Sequence, residues 1–131
     1  MTELTLAKAL GSGLRRALAD DDRVVLMGED IGTLGGVFRV TDGLQRDFGR
    51  DRVMDTPLAE SGIVGTAVGL AFRGYRPVVE IQFDGFIYPG FDQIVAQVAA
   101  AEPGDCHCAR LLDRYKSRGT IGEDWREWIG R

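Results

Sequence analysis

In the run DTPLAESGIVGTAVGLA, residues 55–71, Glu60 sets one carboxylate at the mouth of a stretch that is otherwise apolar and punctuated by glycine. A carboxyl group placed there can take up or release a proton next to a bound molecule. The plainer reading is helix-terminal electrostatics, since an acid in a first turn is favoured by about 0.3–1 kcal/mol without any catalytic role. A reciprocal capping box from Thr56 would need its glutamate at position 59, which is Ala59, so Glu60 stands one residue late for that purpose. Gly62, Gly65 and Gly69 each cost a helix about 1 kcal/mol relative to alanine. Gly65 and Gly69 share a face, which suits close approach of a backbone, a cofactor or a partner helix, and equally suits ordinary packing on a sheet. Glu29 and Asp30, in MGED, form a second acidic pair, for which a solvated loop is the commoner setting.

Other chemistries lack support. Asp20, Asp21 and Asp22 have no accompanying ligand set and read as a solvated turn. Cys106, His107 and Cys108 lack the second ligand pair of a zinc site, and a single histidine argues against a Ser-His-Asp hydrolase. GTLGGVF does not end in the Gly-Lys-Ser/Thr of a phosphate loop, and no G-x-G-x-x-G is well placed.

The elements that must position Glu60 follow from periodicity. Leu6, Leu10, Leu14, Ala17 and Leu18 recur at helical spacing, so residues 3–19 read as an amphipathic helix. Residues 24–27 have strand length, GEDIGTLGGVF reads as a loop, 41–48 as a short helix and 52–55 as a short strand. A helix over 60–72 follows, then RPVVEIQF (76–83) with the β-branched content of a buried strand. Residues 89–100 close the pattern as a helix with Pro89 in its first turn. Strands alternating with helices predict an α/β domain, a parallel sheet flanked by helices. Such sheets hold ligands at the carboxyl ends of their strands, which here are the loops after Met27, Asp55 and Phe83.

The whole chain has 131 residues, 44% hydrophobic and 27% charged, with a net charge of −4 and scattered basic residues. That composition predicts one globular unit and speaks against nucleic acid or an anionic membrane as partner. No apolar run approaches a membrane span, and MTELTLAKALGSG does not resemble a signal peptide, so a cytoplasmic location is expected. Both tryptophans, both cysteines and the histidine fall after residue 100, where the alternation of apolar runs and glycine turns also stops. The expected division is 1–100 as the structured part and 101–131 as a divergent tail, with WREW as a possible amphipathic cap.

Four stretches together carry a resemblance: VVLMGEDIG (24–32), GGVFRVTDGL (35–44), RVMDTPLAESGIVGTAVGLAFRGYRPVVEIQF (52–83) and FIYPGFDQIVAQVA (86–99). In order, across residues 3–99, they resemble the β subunit of the thiamine-diphosphate-dependent decarboxylating component of 2-oxo acid dehydrogenase complexes. The resemblance implies the N-terminal part of a transketolase-like pyrimidine-binding domain. It places the family's essential glutamate on Glu60, which would hydrogen-bond the aminopyrimidine ring nitrogen and pass a proton there. A carboxyl group among Leu58, Ile63 and glycines would be desolvated, which suits it to that task. By the same carry-over Leu58 and Gln82 would line the pyrimidine pocket, Phe86 would stack on the ring, and Glu29 would lie near a route between paired sites. The resemblance further implies that an α subunit holds the diphosphate and its Mg ion, that α2β2 is the working form, and that a lipoyl-bearing acyltransferase core receives the acyl group.

Relatives of that kind run to about twice this length or more, in line with two-domain sizes. The family pattern stops near Ala99, so a truncated or frameshifted reading is expected, with an open sheet edge, marginal stability and no turnover by the chain alone. EIQF leans toward a branched-chain rather than a pyruvate substrate. A non-catalytic fragment that binds the α subunit, an acetoin dehydrogenase β subunit and a transketolase-like synthase are the competing readings.

Overall fold

The computed structural model describes residues 5–99, and the tail expected over 101–131 lies outside the described residues. The chain begins with α1, Leu6–Asp20, whose N-cap Thr5 accepts a hydrogen bond from the amide of Lys8. Then come β1 (Val24–Gly28), α2 (Leu44–Phe48), β2 (Val53–Asp55), α3 (Glu60–Phe72) and β3 (Arg76–Glu80). A 3-10 segment, Asp84–Gly90, leads into the single turn α4 (Phe91–Gln93) and a π-helical turn, Ile94–Val98.

The three strands form a parallel sheet in the order β2-β1-β3, with Leu26 opposite both Val53 and Val78. The central strand is buried along its whole length, as its unbroken VVLMG requires of a strand covered on both faces. On one face Leu18, Val24, Leu26, Ile31, Leu44 and Val53 form a cluster with Leu14, Ala17 and Phe48, which seats α1 and α2. On the other face Met27 meets Ile63 and Ala67 of α3, flanked by Met54, Leu70, Val79 and Ile81. The expected α/β layering is thus the architecture found.

Three local expectations need correction. The apolar stripe of α1 is buried only in its second half, because Leu6 and Leu10 are exposed. Their half of the helix lies over a groove of about 510 Å³ shared with Phe38, Arg39 and Val40 rather than over the sheet. The strand expected over 76–83 stops at Glu80, the residue paired with the last residue of β1. Past that point Asp30 turns β1 away with φ 55°, which leaves residues 81–83 no strand to pair with. The helix expected over 89–100 is found as an irregular one, an α turn from Phe91 that passes into a π-helical turn to Val98, preceded by a 3-10 segment that begins at Asp84, whose side chain accepts from the amide of Gly85 at 2.8 Å. Pro89 therefore precedes the N-cap of α4, Gly90, instead of opening a helix.

Arg52 fastens the layers from below. Its guanidinium donates to the carbonyls of Val24 at 2.6 Å, Asp21 at 2.8 Å and Leu18 at 3.1 Å, closing the end of α1 over the start of β1.

Candidate functional site

At the upper end of the sheet three strands deliver their loops to one place. Glu29 follows β1 directly, Thr56–Ala59 link β2 to Glu60 at the start of α3, and Gln82 follows β3. The side-chain amide of Gln82 donates to the backbone carbonyl of Glu29 at 2.9 Å, which ties the first and third of these loops together.

Glu60 is the first residue of α3, and its N-cap, Ala59, supplies no side-chain hydrogen bond. The helix dipole favours an acid at this position wherever its side chain points. Burial is the part the dipole does not account for: Glu60 is only 9% exposed. Among the described residues no hydrogen bond or ion pair engages its carboxylate. A largely buried carboxylate that no described residue engages is available to a partner from outside them.

Glu29 is held above the ordinary carboxylate range, first by desolvation and then by the negative charges of Glu60 and Asp30. The mutual influence of Glu29 and Glu60 brings the two acids into one electrostatic site.

The wall beside Glu60 is the segment after β3. Ser61 donates its hydroxyl to the carbonyl of Pro89 at 2.5 Å, and a Cβ at Gly90 would stand 3.1 Å from the backbone oxygen of Glu60. Glycine at 90 thus allows the 3-10 segment to lie directly on the first turn of α3. That segment carries Phe86, 45% exposed, with its ring edge-to-face against Phe83 at 5.4 Å.

Glu29, Glu60 and Gln82 are therefore brought together, with Phe86 on the adjoining segment. Leu58 departs from expectation: it is 74% exposed and does not enclose Glu60 within the described residues. The linker instead buries the hydroxyl oxygen of Thr56, which has no hydrogen-bond partner among the described residues. Among the described residues this end of the sheet therefore offers a largely buried acid, an unpartnered hydroxyl and a half-exposed aromatic ring, groups that can hold a molecule with both polar and apolar faces.

Several supporting residues were missed from sequence. Asp55 accepts from the amide of Gly32 at 2.6 Å, and the buried Thr41 hydroxyl donates to the carbonyl of Ile31 at 2.7 Å, so both ends of the glycine loop after β1 are pinned. Glu80 lies beneath that loop, and a Cβ at Gly36 would sit 3.1 Å from its carboxylate. Desolvation raises the Glu80 carboxyl above its ordinary value. The signal for Asp55 was an acid ending a buried strand; Thr41 and Glu80 gave none apart from the fold.

Residues 2–104 match the transketolase pyrimidine-binding domain. The chain is 69% identical over 96 residues to the pyruvate dehydrogenase E1 component subunit beta of Leifsonia xyli subsp. xyli, an alignment covering 73% of this chain and 28% of that protein. The proteins of the same name from Staphylococcus epidermidis and Staphylococcus aureus are 56% and 54% identical over 120 residues, each covering 92% of this chain and 33% of the relative. The staphylococcal alignments take in 120 of the chain's 131 residues and so extend past the change of composition near residue 100. The alignments span about a third or less of these curated relatives, which are more than twice this chain's length, as expected. Matched over most of its length, the chain belongs to the transketolase pyrimidine-binding domain family, a thiamine-diphosphate-dependent family.

Proposed function

We propose that this chain supplies the aminopyrimidine-binding half of a thiamine-diphosphate site in the β subunit of a 2-oxo acid dehydrogenase, with Glu60 as the residue that holds and transfers the proton. The observation that carries this reading is a buried, unengaged carboxylate at the carboxyl ends of three parallel strands, beside Glu29 and Gln82. The relatives' name favours pyruvate over branched-chain 2-oxo acids, against the slight lean of EIQF.

When bound, the cofactor supplies carbanion stabilisation for decarboxylation. Glu60 would contribute a hydrogen bond and an exchangeable proton at the pyrimidine ring nitrogen. Glu29, raised above its ordinary value, would be a second acid within electrostatic reach of the site. The free carbonyl of the Gln82 side chain and the hydroxyl of Thr56 are the remaining polar groups for the ring's edge, and Phe86 offers a face. Leu58, exposed here, would reach the pocket only once another chain or segment covers it. The cofactor's diphosphate and Mg ion would fall to an α subunit in an α2β2 assembly that passes the acyl group to a lipoyl-bearing core. A cytoplasmic setting fits this role.

The test is Glu60→Gln in the β chain assembled with its α subunit, a change that keeps size and hydrogen bonding but removes the titratable proton. Cofactor binding by calorimetry is expected to survive, and decarboxylation of pyruvate is expected to fall by about 10²–10⁴. A glutamine variant that turns over at the parental rate would refute the role.

A second reading rests on the change of composition near residue 100. On it, residues 1–100 keep the fold and bind an α subunit without turnover, and 101–131 are a divergent tail, against which the staphylococcal alignments continue past residue 100. Resequencing the codons for residues 95–110 in all frames separates the two, because a second frame that continues the family pattern would assign activity to the restored protein. Substrate profiling of that protein would separate pyruvate from acetoin and branched-chain substrates.

A further inference from the structure

Phe38, on the glycine loop after β1, plays no part in the site as described, yet the fold takes trouble to hold it in place. The loop is tied by hydrogen bonds from the amide of Gly36 to the Asp30 carbonyl at 2.8 Å and from the amide of Arg39 to the Gly36 carbonyl at 3.1 Å. The guanidinium of Arg39 donates to the carbonyl of Leu34. Arg39 itself is held at φ 59°, a left-handed conformation that an arginine adopts only when its surroundings impose it. The outcome is a large apolar ring left 55% exposed.

The ring is not isolated. Phe38 stands edge-to-face on Phe83, with centroids 5.7 Å apart and planes at 73°, and Phe83 stands edge-to-face on Phe86, 5.4 Å apart at 86°. The amide of Phe86 donates to the carbonyl of Phe83 at 2.9 Å, so those two rings share one tight turn. An aromatic row therefore runs from the loop after β1 to the segment that lies on the first turn of α3. Each quadrupolar contact in it restricts the tilt of the next ring.

We infer that Phe38 is a positioning residue for the aminopyrimidine site: acting through Phe83, it sets the orientation in which Phe86 presents its face to the cofactor ring. The inference rests on the function proposed above and adds a residue from a loop otherwise remote from Glu60 in sequence. It requires an aromatic side chain at position 38, not merely an apolar one.

The experiment uses the complete β chain assembled with its α subunit and compares the parent with Phe38→Ala, Phe38→Leu and Phe38→Tyr. Thiamine diphosphate binding is measured by calorimetry, and the KM for cofactor is compared with the KM for the 2-oxo acid. Loss of one edge-to-face contact is expected to weaken cofactor binding by about three- to tenfold in the alanine and leucine variants. The tyrosine variant is expected to bind like the parent, and the KM for the 2-oxo acid to stay unchanged throughout. Parental binding by Phe38→Ala, or equal weakening of the leucine and tyrosine variants, would overturn the inference while leaving the role of Glu60 intact. Loss of α-subunit association at unchanged cofactor affinity would also overturn it, by assigning the aromatic row to the subunit contact. A parent assembly that binds no thiamine diphosphate would overturn the inference together with the function on which it rests.

Discussion

Glu80 is a carboxylate that its own fold works against. Desolvation beneath the glycine loop raises its pKa above the ordinary 4.5, so the folded state binds this proton more tightly than the unfolded chain does. The stability this contributes is complete below about pH 4.5 and is lost as pH rises through the folded value. Glu80→Gln removes the effect, and we expect it to be more stable than the parent at pH 7, with the two converging in acid. Denaturant unfolding across that range checks this, and parallel curves for parent and variant would refute it. Glu60 was legible from sequence because its position in an apolar, glycine-rich run is a local fact. Glu80, Thr41 and Phe38 were not, because each acquires its role only when the loop after β1 folds across the end of β3. Leu58 is the opposite case: the sequence resemblance puts it in a pocket wall, and among the described residues it is exposed.

The glycines of α3 and of the segment packed on it differ in what surrounds them, and the difference predicts opposite signs on mutation. A Cβ at Gly69 meets nothing within 4 Å, so Gly69→Ala should stabilise the isolated chain by about 1 kcal/mol through helix propensity. At Gly90 the same atom would press on the backbone of Glu60 at 3.1 Å and on Val64 at 3.3 Å. Gly90→Ala is therefore expected to cost about 1–3 kcal/mol as the 3-10 segment is pushed from α3. Urea midpoints measure both, and the same sign for the two variants would contradict the packing described. The helix over 60–72 was predicted to the residue, because an acid opens it, glycine and alanine do not break its apolar pattern and Arg73-Gly74 ends it. The segment 84–98 was not, because its course is decided by contacts to α3 that periodicity does not encode: the Ser61 hydroxyl on Pro89 and the close seat of Gly90.

At the scale of the molecule, the parallel sheet places its most apolar strand in the centre and leaves an outer strand, β3, partly exposed at Val78, with Phe72 and Tyr75 exposed nearby. Among the described residues no strand pairs with the outer edge of β3, and a partly apolar edge of that kind invites pairing with another chain. We expect the chain without an α subunit to self-associate with rising concentration and to show no decarboxylation. Sedimentation and a turnover assay on the purified chain test both, and a monodisperse, active chain would contradict them. The strand order has a further consequence for the chain as it is made. β1 is synthesised first yet takes its neighbours from residues 53–55 and 76–80, so no ladder can form until Val53 has left the ribosome, and the second must wait for Glu80. For that interval Val24–Met27 is an unpaired apolar tetrapeptide on a nascent polypeptide, the kind of segment a chaperone would bind.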